Sequence, residues 1–327
     1  MKILLFWFLF YFLSYPVVIK KEILFLLTAI FVFVLPSAVF ADATDSADSA
    51  DSESNIEIEY FTTGASKSNI GNAQTSTTGL LLETEYENND ISFSFNYERW
   101  NYNWTNPGSL PFVSGSARVP WSTFTTLQFG FAYEDEINDK WELNYYIEAE
   151  SSYEKEKSKS NEYEAGVDFI YEASDEWTFT INANYEYLDA EGAEIGVDLE
   201  IEWNHDKKDG WSAEFEISSE FPETSLTYHF TREFSTTLFY NESGTNTIRL
   251  SDSSPVIGMQ GGYFEDEYNS LGIQVNYEFA RESYLSFALQ QNSGRIFSFT
   301  NSTGGETEIT YEFSDVIEAS IGLLYTF

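Results

Sequence analysis

The sequence of 327 residues contains no cysteine, two histidines, two methionines, and only 16 lysines and arginines against 54 aspartates and glutamates. Without cysteine there is no disulfide framework and no thiolate metal site. The formal net charge of −38 opposes binding to nucleic acid, because that binding needs basic side chains to displace counterions from phosphates. Only seven prolines, with an aromatic content of 18%, favour strands over helices.

Long apolar runs are confined to the first 41 residues. Lys20 and Lys21 precede the run ILFLLTAIFVFVLPSAVF, which ends in AVFA before Asp42. A positive segment, an apolar segment and small residues before the junction form the pattern of a secretory signal peptide. We therefore predict that residues 1–41 are a cleaved signal peptide with an apolar N-terminal extension. A second apolar run at residues 3–19 leaves a transmembrane anchor open as the alternative.

Residues 42–54, DATDSADSADSES, repeat a short acidic unit and contain no apolar side chain larger than alanine. Such a segment has nothing to bury, and we predict a disordered acidic tail in the periplasm. Residues 1–41 hold three lysines and one glutamate, so the remaining chain carries 13 basic and 53 acidic residues. This charge keeps the protein soluble and repels anionic surfaces.

From residue 55 to residue 327, apolar and polar residues alternate in long segments. The segment IGVDLEIEW is an example, and its apolar face consists of Ile195, Val197, Leu199, Ile201 and Trp203. Alternation over eight or more residues predicts strands with one apolar and one polar face. No comparable 3.6-residue period occurs after residue 41. The sequence therefore predicts an all-β protein, with residues 55–327 as one domain.

The length of the strands and the position of the tryptophans distinguish a membrane barrel from a soluble β-sandwich. Segments such as WELNYYIEAE run ten to twelve residues, the length that crosses a bilayer at a tilt of about 45°. Strands of soluble sandwiches average about five or six residues. Trp141, Trp177 and Trp211 open strands after short polar turns, and Trp203 closes a strand before one. We predict that these four form an aromatic ring at one membrane interface of a transmembrane antiparallel up-and-down β-barrel.

The number of strands should be even, because the predicted barrel begins and ends on the same side of the membrane. We count about sixteen, taking residues 283–291, 295–301 and 305–313 as separate strands. The segment 295–301 is short and the first strand is weak. Fourteen or twelve strands therefore remain open.

The last eight residues, SIGLLYTF, carry a recognisable motif. Ser320, Gly322, Tyr325 and Phe327 match the pattern polar-x-Gly-x-x-aromatic-x-aromatic. The segment resembles the C-terminal signal by which the barrel-assembly machinery recognises Gram-negative outer-membrane β-barrels. The resemblance is to that class as a whole and to porin-like members of it, and it identifies no single family. It implies export across the inner membrane, a location in the outer membrane, and contact with its lipid and lipopolysaccharide.

Acidic residues alternate with the apolar residues that would face lipid, so they are predicted to line the interior of the barrel. So many carboxylates cannot be held in a dry core, since each buried charge is costly. A hydrated acidic lumen concentrates cations. We therefore predict a porin-like channel for the passive diffusion of small polar solutes, with a preference for cations. The predicted lumen-lining residues are Glu83, Glu85, Glu98, Glu148, Glu150, Asp168, Glu172, Asp198, Glu200, Glu202, Glu214, Glu216 and Glu278.

Two other functions remain open. In a closed structural or adhesive barrel, the loops would fill the pore and act at the cell surface. A barrel enzyme would need a histidine or an acid–base pair at its rim, and the chain has only His205 and His229. Neither belongs to a Ser-His-acid pattern, so we predict no catalytic residue, no metal site and no cofactor. The sequence leaves both a monomer and a homotrimer open.

Loop 101–120 is long and contains Trp104 and Phe112. Such a loop can fold inward and narrow a pore, or it can lie exposed at the surface. The sequence does not decide between the two.

Overall fold

The computed structural model describes residues 52–327, except residues 89, 114–118, 158, 190–191, 206–208, 219–222, 245–246, 257 and 302–308. The predicted signal peptide and residues 42–51 of the predicted tail lie outside the described residues. The first strand begins at Ser52, three residues before the predicted boundary at residue 55. Glu53 and Ser54 belong to this strand because their backbones pair with Glu87 and Tyr86 of a neighbouring strand.

Seventeen strands are found in the described part of the chain, and fourteen of them are long. In chain order they are β1 (Ser52–Thr63), β2 (Ser66–Lys67), β3 (Gln74–Asn88), β4 (Ile91–Thr105), β5 (Thr123–Asn138), β6 (Trp141–Tyr153), β7 (Asn161–Ser174), β8 (Trp177–Leu188), β9 (Gly192–Trp203), β10 (Gly210–Ile217), β11 (Glu223–Thr231), β12 (Phe234–Gly244), β13 (Ile248–Arg249), β14 (Tyr263–Ala280), β15 (Ser283–Thr300), β16 (Ile309–Glu312) and β17 (Val316–Thr326).

The long strands form a closed antiparallel ring. Each pairs with the next long strand along the chain, and β1 pairs with β17 to close the ring, with Asn55 opposite Thr326 and Thr63 opposite Glu318. The short strands β2, β13 and β16 are not members of this ring. The prediction of an all-β antiparallel barrel is confirmed. The described residues form fourteen ring strands, so the leading count of sixteen is wrong and the alternative of fourteen is confirmed.

The two excess strands in the predicted count have two causes. Residues 283–291 and 295–301 were expected to form two strands, but β15 runs through both. Gly294 lies between them with φ of 66°, and the pairing of β14 with β15 shifts register between Glu267 and Asn269. A bulge of this kind bends a strand without ending it. Of the segment 305–313, the described part forms the short strand β16, which pairs only with β15.

The alternation of the sequence separates the two faces of the ring. Large apolar side chains are exposed on the outside, including Ile195, whose side chain is 81% exposed. The inside is identified by contacts between strands that are not neighbours. The rings of Phe61 on β1 and Trp100 on β4 lie 4.7 Å apart. The Tyr102 hydroxyl on β4 donates a hydrogen bond of 3.1 Å to Asp266 on β14.

The two ends of the ring differ. At one end, which we call the turn end, connections are short, as at residues 139–140, 175–176 and 281–282. At the other, the loop end, connections are long, as at residues 106–122 and 245–262.

The four predicted interface tryptophans all lie near the turn end. The rings of Trp177 and Trp203 are 6.3 Å apart, and Trp141 and Trp211 each pack on a tyrosine of a neighbouring strand. No helix among the described residues is both long enough and apolar enough to span a membrane.

Candidate functional site

The inner face of the ring carries the predicted lumen-lining carboxylates. Strand register puts all thirteen of them on the face opposite the exposed apolar side chains. Like charges lie directly opposite each other on β9 and β10, where Glu200 pairs with Glu216 and Glu202 pairs with Glu214. Such pairs repel one another unless water or cations screen them.

A cavity of about 540 Å³ lies against the inner wall formed by β6 to β10. Within it, side-chain amides and a phenol hold the carboxylates in place. The Tyr146 hydroxyl donates to Glu164 at 2.6 Å, and Asn182 donates to Asp168 at 2.6 Å. No lysine or arginine is among the described residues that line the cavity. The residues that line the cavity are Tyr146, Glu164, Asp168, Ile170, Thr178, Thr180, Asn182, Asn184, Asp198, Glu200, Glu202 and Glu216.

The opposite wall, formed by β14, β15 and β17, is polar but less acidic. Gln290 and Asn292 both donate to the carboxylate of Glu318, at 3.2 and 3.1 Å. Ser270 donates to Asn292 at 2.9 Å. These hydrogen bonds join three strands. The cavity described above lies on the β6–β10 side of the interior.

A cluster of buried apolar side chains, which we call the plug, occupies the interior near the loop end. Phe112 packs on Tyr311 with ring centroids 4.4 Å apart, and Trp121 packs on Phe264 at 4.5 Å. Loop 101–120 could fold inward or lie exposed at the surface. Its residues Trp104 and Phe112 lie inside the barrel, in contact with the plug. The plug consists of Ala73, Tyr102, Leu110, Phe112, Val113, Trp121, Phe124, Ile248, Leu250, Val256, Met259, Phe264, Phe297, Phe299 and Phe313, with Trp100, Trp104, Ile309 and Tyr311 packed against it.

A small four-stranded sheet contributes part of the plug. It consists of β13, residues 263–267 of β14, residues 296–300 of β15, and β16. We call this sheet the lid. The sequence did not reveal it, although the aromatic residues of the segment RIFSF, on strand β15, were a visible signal of a buried face.

The remaining predicted residues are placed as follows. Glu278 is buried near the turn end, where it accepts a hydrogen bond from the backbone of Glu282. In β17, Ser320 and Gly322 lie on the inner face and Tyr325 on the outer face, while Phe327 follows the strand and is 52% exposed.

One histidine lies in the turn after β9 and the other in β11. His205 lies in a turn, 3.6 Å from the Glu202 carboxylate. His229 lies opposite Ser235 on the inner face. Within the described ranges, no group of three or more histidine, aspartate or glutamate side chains is arranged to hold a metal ion.

No family model matches the sequence, and no curated protein matches it. Solved structures of outer-membrane channels do match. The toluene transporter TodX of Pseudomonas putida is 8% identical with a TM-score of 0.47, covering 86% of this chain and 91% of that chain. A FadL homologue of Pseudomonas aeruginosa is 10% identical with a TM-score of 0.46, covering 84% and 90%. The KdgM porin is 10% identical with a TM-score of 0.35, covering 83% and 99%. With such low scores, the barrel rests on its own strand pairings rather than on these similarities.

Proposed function

We propose that this protein is an outer-membrane channel of the porin-like class, which passes small polar solutes and prefers cations. The observation that carries the proposal is the division of one closed ring into two chemically opposite faces. Its outer face exposes large apolar side chains, and its inner face presents carboxylates to a cavity of about 540 Å³. A closed ring leaves no unpaired strand edge, which is what a β-structure needs within lipid.

The proposed location follows from the outer surface. Exposed apolar residues would contact lipid, and Trp141, Trp177, Trp203 and Trp211 would lie at the interface on the turn end. The turn end would then face the periplasm and the loop end the outside of the cell. The C-terminal motif supports recognition by the barrel-assembly machinery, and the N-terminal apolar run supports export by a signal peptide.

The proposed route for solutes follows the wall formed by β6 to β10. Five of the fifteen plug residues lie on β4, β5, β14 and β15, and the other ten lie on the loops and on β13 near the loop end. Along the proposed route, facing carboxylates such as Glu200 and Glu216 create a negative potential. A passing cation would be stabilised at each step, whereas an anion would be repelled.

The plug itself favours a second candidate function. A cluster of fifteen buried apolar residues at the loop end is what a closed barrel would need if its loops act only at the cell surface. The two functions make opposite predictions for ion flow.

Recording single-channel currents separates these functions. The chain without its predicted signal peptide is refolded in detergent and added to a planar bilayer under a KCl gradient. The channel proposal predicts discrete current steps whose reversal potential lies toward the K⁺ equilibrium potential. A barrel that folds, as judged by its β-sheet circular dichroism, but gives no steps under any voltage would support the closed surface barrel. Steps with anion selectivity would contradict the assigned role of the carboxylates.

A further inference from the structure

The lid reaches across the interior of the ring. Its strand β13 extends from the loop between β12 and β14, yet Arg249 of β13 pairs in parallel with Tyr153 at the end of β6. In the order of the ring, β6 and β14 are separated by seven strand positions in either direction. They therefore lie on opposite sides of the barrel. The lid thus connects the wall that carries it to the wall that borders the acidic cavity.

The lid leaves its own wall at a bend in β15, and its β16 edge is also bonded to the segment after β2, where the backbone N–H of Asn69 donates to the carbonyl of Glu312 at 3.1 Å. Below the bend, β15 pairs with β17 as far as Asn292, and above it β15 pairs with β16 from Ile296 onward. Gly294 lies between these two pairings with φ of 66°, a backbone conformation that glycine adopts at little cost. The register of β14 shifts at the same level. Both strands are therefore irregular at the same level, as a hinge requires.

The far side of the lid is held by two carboxylates of the loop that follows β6. Glu154 accepts a hydrogen bond of 2.9 Å from the backbone N–H of Ser251. Glu156 accepts from the Ser251 hydroxyl at 3.3 Å and lies 3.8 Å from the Arg249 guanidinium. The backbone N–H of Glu154 donates to the carbonyl of Arg249 at 2.9 Å. The Glu154 and Arg249 side chains are only 6% and 5% exposed, so little water competes with these contacts.

We propose that the lid is a gate that turns about the bend at Gly294, and that Glu154 and Glu156 form the latch that holds it closed against the β6 wall. This inference rests on the proposed channel function and assigns its regulation. When the latch is released, Phe264, Phe297 and Phe299 move with the lid away from the aromatic residues of β4 and β5. The plug then separates into two parts, and the lumen opens at the loop end.

A reversible cross-link tests the movement directly. The native chain has no cysteine, so a Tyr153→Cys/Arg249→Cys double variant contains one defined pair. These residues are direct partners across a strand pairing, which suits the Cα separation of a disulfide. We expect the oxidised variant to give no current steps and the same bilayer to give steps after a reducing agent is added. Each single-cysteine variant should conduct regardless of the redox state.

Neutralising the latch tests the role of the carboxylates. The Glu154→Gln/Glu156→Gln variant loses charge-assisted hydrogen bonds to the lid, and its open probability should rise about tenfold or more. A matched control, Asp175→Asn/Glu176→Gln, removes two carboxylates from an exposed turn at the other end of the barrel. Its open probability should equal that of the unmodified protein.

The outcomes separate the gate from the channel. Steps of equal frequency before and after oxidation of the double-cysteine variant would overturn the gate and leave the channel intact. An unchanged open probability in the latch variant would remove Glu154 and Glu156 from the mechanism. Absence of current in every variant, with the β-sheet spectrum retained, would overturn both the gate and the channel function.

Discussion

Asp266 on β14 and Arg295 on β15 form a buried ion pair within the interior of the barrel. Arg295 donates from Nε to Asp266 Oδ1 at 2.8 Å and from Nη2 to Oδ2, and the two side chains are 3% and 0% exposed. Tyr102 of β4 donates to the same carboxylate at 3.1 Å. The Arg295 guanidinium also lies 4.9 Å from the centre of the Phe297 ring. One charged pair thus ties the base of the lid to the plug and to a distant strand.

Breaking this pair should strongly destabilise the barrel. In Asp266→Ala the guanidinium stays buried without its counterion, which costs about 3–5 kcal/mol in the free energy of unfolding. Urea unfolding of the refolded protein, followed by tryptophan fluorescence, measures the loss. The matched control is Arg281→Ala, which breaks the exposed pair with Glu282 and should cost less than about 1 kcal/mol. An apolar replacement of both partners, Asp266→Leu/Arg295→Met, should lose less than Asp266→Ala. An equal loss of unfolding free energy in the two variants would mean that lost packing, and not the unpaired charge of Arg295, causes the destabilisation.

Removing the Trp121 side chain from the plug should both destabilise the protein and raise its conductance. Trp121 is 2% exposed and contacts the rings of Phe264, Phe297 and Phe299. Trp121→Ala deletes these contacts and leaves a cavity, with an expected loss of about 3–5 kcal/mol. Single-channel recording should show larger or more frequent steps than the unmodified protein. Trp177→Ala, on the outer face at the turn end, is the control and should leave conductance unchanged. Equal conductance in both variants would contradict a blocking role for the plug.

Charge on the β9 wall should set ion selectivity. Glu200→Gln/Glu202→Gln removes two carboxylates that face Glu214 and Glu216 along the proposed route. Because the negative potential there weakens, the reversal potential under a KCl gradient should move toward zero. The control, Asp175→Asn/Glu233→Gln, removes the same charge from exposed turns and should leave the reversal potential nearly unchanged. A shift of the same size in both variants would assign selectivity to overall charge instead of the lumen.

The C-terminal motif makes a prediction for assembly. If the resemblance to the outer-membrane signal is functional, Phe327→Ala should lower the amount of protein in outer-membrane fractions, because recognition by the assembly machinery is weakened. Phe230→Ala is the control, since Phe230 is an exposed aromatic residue outside the motif. Immunoblots of separated membranes measure both. Equal amounts of the two variants would show that the aromatic terminus is dispensable.

The faces of the strands could be predicted from sequence because alternation is a local property. In β9 each residue from Glu194 to Glu202 falls on the face that its polarity indicates, since a strand has a period of two and lipid-like and polar environments lie on opposite sides. The thirteen predicted acidic residues were assigned to one face in this way without any knowledge of which strands are neighbours.

The lid and the plug could not be predicted in the same way, because both depend on contacts distant in sequence. Gly294 gives no sign that β15 continues through it, so residues 295–301 were counted as a separate strand. The polar residues Glu53 and Ser54 look like tail, and only the backbone of β3 makes them part of a strand. Arg249 meets Tyr153 across the barrel, a relation that no pattern of alternation encodes.

The pairing of β1 with β17 has a consequence for biosynthesis. The ring is sealed between the first and the last of its long strands, with Asn55 opposite Thr326. A chain emerging from the ribosome therefore keeps two open lateral edges until β17 has been made, and open edges invite pairing with other chains. Closure must also bring together segments at nearly the greatest separation the chain allows, which makes it a slow step. The ring can be completed only after β17 has been made, and both edges must be kept from pairing with other chains until they meet.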